Sequence, residues 1–107
     1  MSVKRVWHGW TTPQNADTYE QLLYDEIFPS IEAKQVPGYR SIELWRCELE
    51  GEVEFVTVMT FDSMRNLIDF QGEDYHRAYV PDAAQKVLQR WDQTSSHYET
   101  RQKRDYR

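Results

Sequence analysis

One cysteine, Cys47, stands in 107 residues. A lone thiol cannot close an intrachain disulfide, and it leaves a thiolate zinc site short of ligands. Apolar runs are short too. None approaches the ~18 residues of a membrane span, and the opening Met1–Trp7 leads into a strand-like pattern with no secretory apolar core behind it. These absences set the expectation of a reducing, intracellular location, with the cytoplasm as default. No glycine-rich loop is built to cradle phosphate and no Ser-His-Asp set has supporting context, which argues against nucleotide hydrolysis and serine chemistry. Positive charge is the minority sign: 13 Lys and Arg stand against 18 Asp and Glu, a formal net charge of −5. Neither nucleic acid nor an anionic membrane is expected as the main partner. Repeats and low-complexity segments are missing, so the chain reads as one module.

Aromatic residues are abundant, with four Trp, seven Tyr and four Phe. Rings bring more buried area per residue than other side chains, which points to a ring-lined cavity or a large subunit interface. Val3 to Thr11 mixes β-branched and aromatic residues and stops at Thr12-Pro13, the pattern of a first strand. Thr11 or Thr12 can cap the helix that follows, with Pro13 tolerated in its first turn. From Gln14 to Lys34 the residues Tyr19, Leu22, Leu23, Ile27 and Ile31 recur at helical spacing. Pro29 lacks a backbone donor, so a kink near Phe28-Pro29 or two short helices are predicted. Val36-Pro37-Gly38 ends the run.

Tyr39 to Glu48 reads as strand two and Val53 to Phe61 as strand three, joined by a turn through Gly51. Both faces of strand three are apolar near its middle, where a half-solvated sheet would alternate cleanly. Asp62 or Ser63 caps a helix presenting Met64, Leu67 and Ile68. A third helix is predicted from Pro81, with Ala83, Ala84, Val87, Leu88 and Trp91 in one stripe. Asp92 to Arg101 reads as strand four, and residues 102–107 as a basic tail beyond the domain, which spans 1–101. The order β-α-β-β-α-β is the ferredoxin-like α+β arrangement with a four-stranded antiparallel sheet. Right-handed crossovers put both helical connections on one face. The other face calls for a cover, and a second copy would supply it as a two-fold homodimer.

Val6-Trp7-His8-Gly9-Trp10-Thr11-Thr12-Pro13, Pro37-Gly38-Tyr39-Arg40, Glu54-Phe55-Val56, Phe61-Asp62-Ser63 and Gly72-Glu73-Asp74-Tyr75 together resemble the antibiotic-biosynthesis-monooxygenase family. The likeness runs from about Val3 to Arg101. It implies a dimeric α/β barrel with a cavity between each sheet and its own helices. It also implies oxidation of phenolic or quinol substrates by molecular oxygen with no cofactor, or, in other relatives, haem binding. The chain departs from the family where Phe61 replaces a frequent Trp and where Phe70 falls about where a His is frequent.

Cofactor-free oxygenation needs a base, and histidine suits it. His97 and His8 are the candidate catalytic residues; strands one and four should be neighbours, which could bring the two imidazoles together. His76, after Asp74-Tyr75, could gate a cavity mouth or serve as an axial haem ligand. Trp10, Trp45, Tyr75, Phe61 and Phe70 are the candidate pocket-shaping residues. A plainer role is open to each, as a structural histidine or as a core or interface ring. Arg40 and Arg46 could meet an anionic substrate or be solvated strand ends. No metal ligand set is seen, since the hairpin's Glu43, Glu48, Glu50, Glu52 and Glu54 match no metal-loop spacing. The resulting expectation is a cofactor-independent monooxygenase for a small aromatic or polyketide-like molecule. The alternatives are a non-catalytic dimeric module for a small hydrophobic ligand, and a haem binder.

Overall fold

A computed structural model describes residues 2–107. Strands β1 (Val3–Thr11), β2 (Tyr39–Glu48) and β3 (Val53–Phe61) have the bounds read from the sequence. Between β1 and β2 lies one helical passage. Thr12 Oγ1 accepts from Asn15 N–H and caps a tight turn over Pro13–Asn15. Helix α1 (Ala16–Leu22), a π-helical turn over Leu23–Ile27 and helix α2 (Phe28–Glu32) follow without a break. The expected interruption at Pro29 therefore takes the form of a wider turn just before it. Phe28 N–H reaches Leu23 O, five residues back, in the turn leading to the residue that cannot donate.

Beyond β3, Ser63 rather than Asp62 caps helix α3 (Met64–Gln71), its Oγ accepting from Asn66 N–H at 3.2 Å. Gly72 ends the helix at φ +91°, a conformation that side chains with a Cβ rarely adopt. The third helix is much shorter than predicted. Only Asp82–Gln85 (α4) is helical, and Trp91 lies in strand β4 (Arg90–Trp91) instead. Cross-strand hydrogen bonds outcompete helical periodicity there: Gln89 N–H donates to Trp10 O and Asp92 N–H to His8 O. The predicted fourth strand is split into β4 and β5 (Ser96–Glu99), both antiparallel to β1.

The sheet runs β2-β3-β1, with β4 and β5 sharing the far side of β1. This is the order of the ferredoxin-like α+β fold. Register fixes the faces. Val3 pairs with Phe61, Trp7 with Thr57 and Thr11 with Val53, so Val3, Arg5, Trp7, Gly9 and Thr11 share a face with the odd-numbered residues of β3. That face carries the helices. Tyr19, Leu23, Phe55, Ala84 and Leu88 make one core cluster, and Val3, Met59, Phe61 and Leu67 a second. Tyr19 meets Phe55 edge-on at 5.0 Å. Close packing requires glycine in the central strand, since a Cβ on Gly9 would stand 2.6 Å from Trp7 Cη2. Among the described residues no helix is long and apolar enough to cross a membrane.

Phe55 has no exposed surface. Phe55→Ala is expected to cost about 3–5 kcal/mol, the usual loss for a buried Phe. A lowered urea midpoint at unchanged slope would show it, and an unchanged midpoint would place the core elsewhere.

Candidate functional site

A cavity of about 150 Å³ lies between the helix-bearing face of the sheet and the passage α1–α2. Tyr19, Leu23, Ile27, Ile31 and Lys34 form its helical wall. Arg5, Trp7, Ile42, Thr57 and Met59 rise from the sheet. Phe70 and Gln71 from the end of α3 also line it, as do Ala78, Tyr79, Val80 and Pro81 of an irregular segment. The lining contains no Asp, Glu, His or Cys. Burial pushes the Tyr19 phenol up, so it stays neutral.

Arg5 is the residue that sequence reading missed. It is 5% exposed, and it is the only charged residue among the buried ones described. Its Nη1 donates to Tyr75 O at 2.5 Å and to His97 Nε2 at 2.8 Å; its Nη2 donates to Arg77 O at 3.1 Å. Strict alternation was the available signal. Within Val3-Lys4-Arg5-Val6-Trp7, Arg5 falls on the side of Val3 and Trp7.

The guanidinium also settles how His97 is used. A guanidinium has only donors, so His97 Nε2 must accept and the ring proton sits on Nδ1. That Nδ1 is buried with no partner. Burial first, then the charge of Arg5 and the neighbouring His76, hold the His97 pKa down to about 4. Its one basic nitrogen is already engaged by Arg5, and the ring is absent from the cavity lining. The geometry therefore does not favour His97 as a base toward a ligand there.

The expected meeting of His8 and His97 does not occur. His97 pairs with Arg5 across β1 and β5, whereas His8 is an odd number of residues from Arg5 and projects from the opposite face. The adjacency of the strands was right, but period-two alternation separates the rings. His8 Nδ1 instead meets Glu54 Oε2 at 2.9 Å, and its ring stacks near Trp10 at 6.0 Å. Trp10 lies under the Arg90 guanidinium at 3.9 Å, and Trp45 pairs with Val56 on that same outer face. Neither tryptophan reaches the cavity.

Tyr75, His76 and His97 do come together. The Tyr75 ring is 4.2 Å from His76 and 5.4 Å from His97, beside the buried Arg5. His76 itself is exposed. Phe61 is wholly buried, packing on Tyr39 and Phe70 rather than lining the cavity. Of the pocket residues expected from sequence, Phe70 alone lines it. Arg40 is paired with Asp62, and Arg46 with Asp17, Glu20 and Glu48, so neither faces a ligand site.

No family model and no curated protein matches the chain. Solved structures do. A Bacillus cereus protein, provisionally named an antibiotic-biosynthesis monooxygenase, matches with a TM-score of 0.67 and 9% identity over 100% of this chain and 98% of that one. Rv0793 from Mycobacterium tuberculosis matches with a TM-score of 0.62 and 17% identity over 98% and 100%. At such identities the likeness is one of fold, and it supports the resemblance read from the sequence at that level.

The His97 pKa of about 4 lies below the 6.5 of an unperturbed histidine, so unfolding takes up a proton between those values. The His97 contribution to stability is expected to be full above pH 6.5, to fall as pH drops toward 4, and to level off below. An NMR titration of the ring proton with a midpoint near 4 is the expected result; a midpoint of 6 or more would contradict the half-buried, Arg5-bound ring.

Proposed function

We propose that the chain binds a small aromatic molecule in the cavity between sheet and helices, and works as a homodimer joined through its open sheet faces. The cavity carries the first statement. Its wall is mainly aromatic and aliphatic, with Arg5 and a few hydroxyls among the apolar side chains, and its volume of about 150 Å³ is that of engineered apolar cavities that take up benzene. A single ring with a short substituent is the scale of ligand it suits.

The open face supports the second statement. Val6, His8, Trp10, Trp45, Val56, Val58 and Tyr98 lie on it by register. None belongs to a helix-packed core cluster. Trp45 remains 52% exposed and Tyr98 57%. Val56 and Val58 are already buried within the chain, so the exposed part of the face is carried by Trp45 and Tyr98 with half-buried Val6, His8 and Trp10. Exposed apolar side chains gathered on a surface mark an interaction site, and a two-fold axis covers one such face with its twin. A reducing compartment such as the cytoplasm suits the exposed, unpaired Cys47 at the edge of this face.

Cofactor-independent oxygenation of a phenol or quinol is a second reading, favoured by Arg5. A fixed cation in an apolar wall stabilises an oxyanion far better than water-exposed charge does. The lining holds no base, so the phenol proton would leave to solvent through the open side of the cavity, and the phenolate held by Arg5 would then pass an electron to oxygen. The shared fold with the Bacillus cereus protein agrees with this reading. Haem binding has less support, because a macrocycle exceeds a one-ring cavity and His76 stands outside the lining.

Light scattering at micromolar concentration is expected to give twice the 12.9 kDa chain mass, with Trp45→Asp shifting the protein to a single chain; a monomeric native protein would refute the dimer. Filling the cavity by Ile31→Trp should weaken calorimetric binding of small phenols at least tenfold. An oxygen electrode separates the two readings: uptake with quinols above the buffer rate supports oxygenation, and no uptake alongside tight binding supports a binding module.

A further inference from the structure

The arginines are distributed unevenly over their partners. Arg40, Arg46, Arg65, Arg77, Arg90 and Arg101 each have a carboxylate within 4.0 Å, although all of them are exposed residues. Buried Arg5 has none. Two carbonyls and a neutral imidazole orient its guanidinium, but they carry no charge to offset it. In a chain with formal charge −5, carboxylates are in excess. They are nevertheless absent from the cavity wall, where the second charged group is another cation, Lys34. A buried ion left without a counter-ion is costly. Desolvation draws the Arg5 pKa down to about 10, with no acidic neighbour opposing it.

The donors still free show what is missing. Both Nη1 contacts and one Nη2 contact are made within the chain. The Nε–H and the second Nη2 N–H have no hydrogen bond among the described residues. Nε and Nη2 share one edge of the guanidinium; with Arg77 O on the Nη2 hydrogen that faces Nη1, the two remaining N–H groups stand parallel on that edge and match the two oxygens of a carboxylate. Thr57 and Ser95 add hydroxyls to the same wall.

We infer that the ligand is a small aromatic acid, its ring in the apolar cavity and its carboxylate on the free edge of Arg5. The inference rests on the cavity being the ligand site and adds the chemical class of what enters it. A phenolate offers one oxygen where Arg5 has two donors free, and a neutral ring leaves the cation unbalanced. Lys34 adds a second positive charge to the field that a carboxylate would meet.

Benzoate, benzamide, phenol and acetate, titrated calorimetrically into the wild-type protein, test this directly. Benzoate is expected to bind one per chain, at least tenfold tighter than benzamide or phenol, with acetate weaker still for want of a ring. The Arg5 Nε–H resonance should shift as benzoate binds, and Arg5→Gln should reduce benzoate to the level of benzamide. If benzamide or phenol equals benzoate, the acid is refuted while the cavity stands. If no ring compound binds, both readings fall. Benzoate binding that leaves the Arg5 resonance unmoved also overturns the inference, and that measurement does not depend on the variant folding.

Discussion

Strand β1 is hydrogen-bonded on both sides, to β3 along its whole length and to β4 and β5 on the other edge. Nothing in the fold can be placed until its register is fixed. Each of its side chains belongs to one face by parity alone, and a one-residue slip would exchange the two sets. Val3, Trp7 and Gly9 then define what the helices must fit. Val6, His8 and Trp10 define what they leave uncovered. The cavity and the open surface are two sides of one alternation.

That alternation places a cation where apolar residues were required. Arg5 occupies a position that Val3 and Trp7 mark as interior, and much of the nearby structure serves its needs. The carbonyls of Tyr75 and Arg77 belong to the irregular chain after α3 and turn inward to accept from it. His97 surrenders its basic nitrogen to it. The irregular segment between α3 and α4 thus has a reason to stay irregular, since a regular helix would keep those carbonyls for itself.

Strand bounds were legible in the sequence because β-branched and aromatic alternation is a local signal. Val3–Thr11, Tyr39–Glu48 and Val53–Phe61 are all recovered. The stretch around Trp91 was not, because its apolar spacing fits a helix equally well and only pairing with Gly9 and Trp10, some eighty positions away, decides the matter. The site was harder still. Histidines attract notice as bases, yet His8 faces away from the cavity and His97 is bonded to Arg5. Tryptophans attract notice as pocket walls, yet Trp10 and Trp45 lie on the outer face. Arg5 was readable by parity, but a charge in a strand is ordinarily assigned to solvent.

The π-helical turn before Pro29 has a geometric consequence for the cavity wall. In an α-helix of 3.6 residues per turn, a four-residue step overshoots one revolution by about 40°. Tyr19, Leu23, Ile27 and Ile31 are spaced in such steps, and in an unbroken α-helix they would spiral away from a flat sheet. A wider turn rotates less per residue, so the drift is partly unwound over Leu23–Ile27. The four side chains consequently keep closer to one rank than an unbroken α-helix would allow, and all line one hollow. A homologue one residue shorter here would close the bulge, swing the later half of the passage round its axis and dissolve that rank.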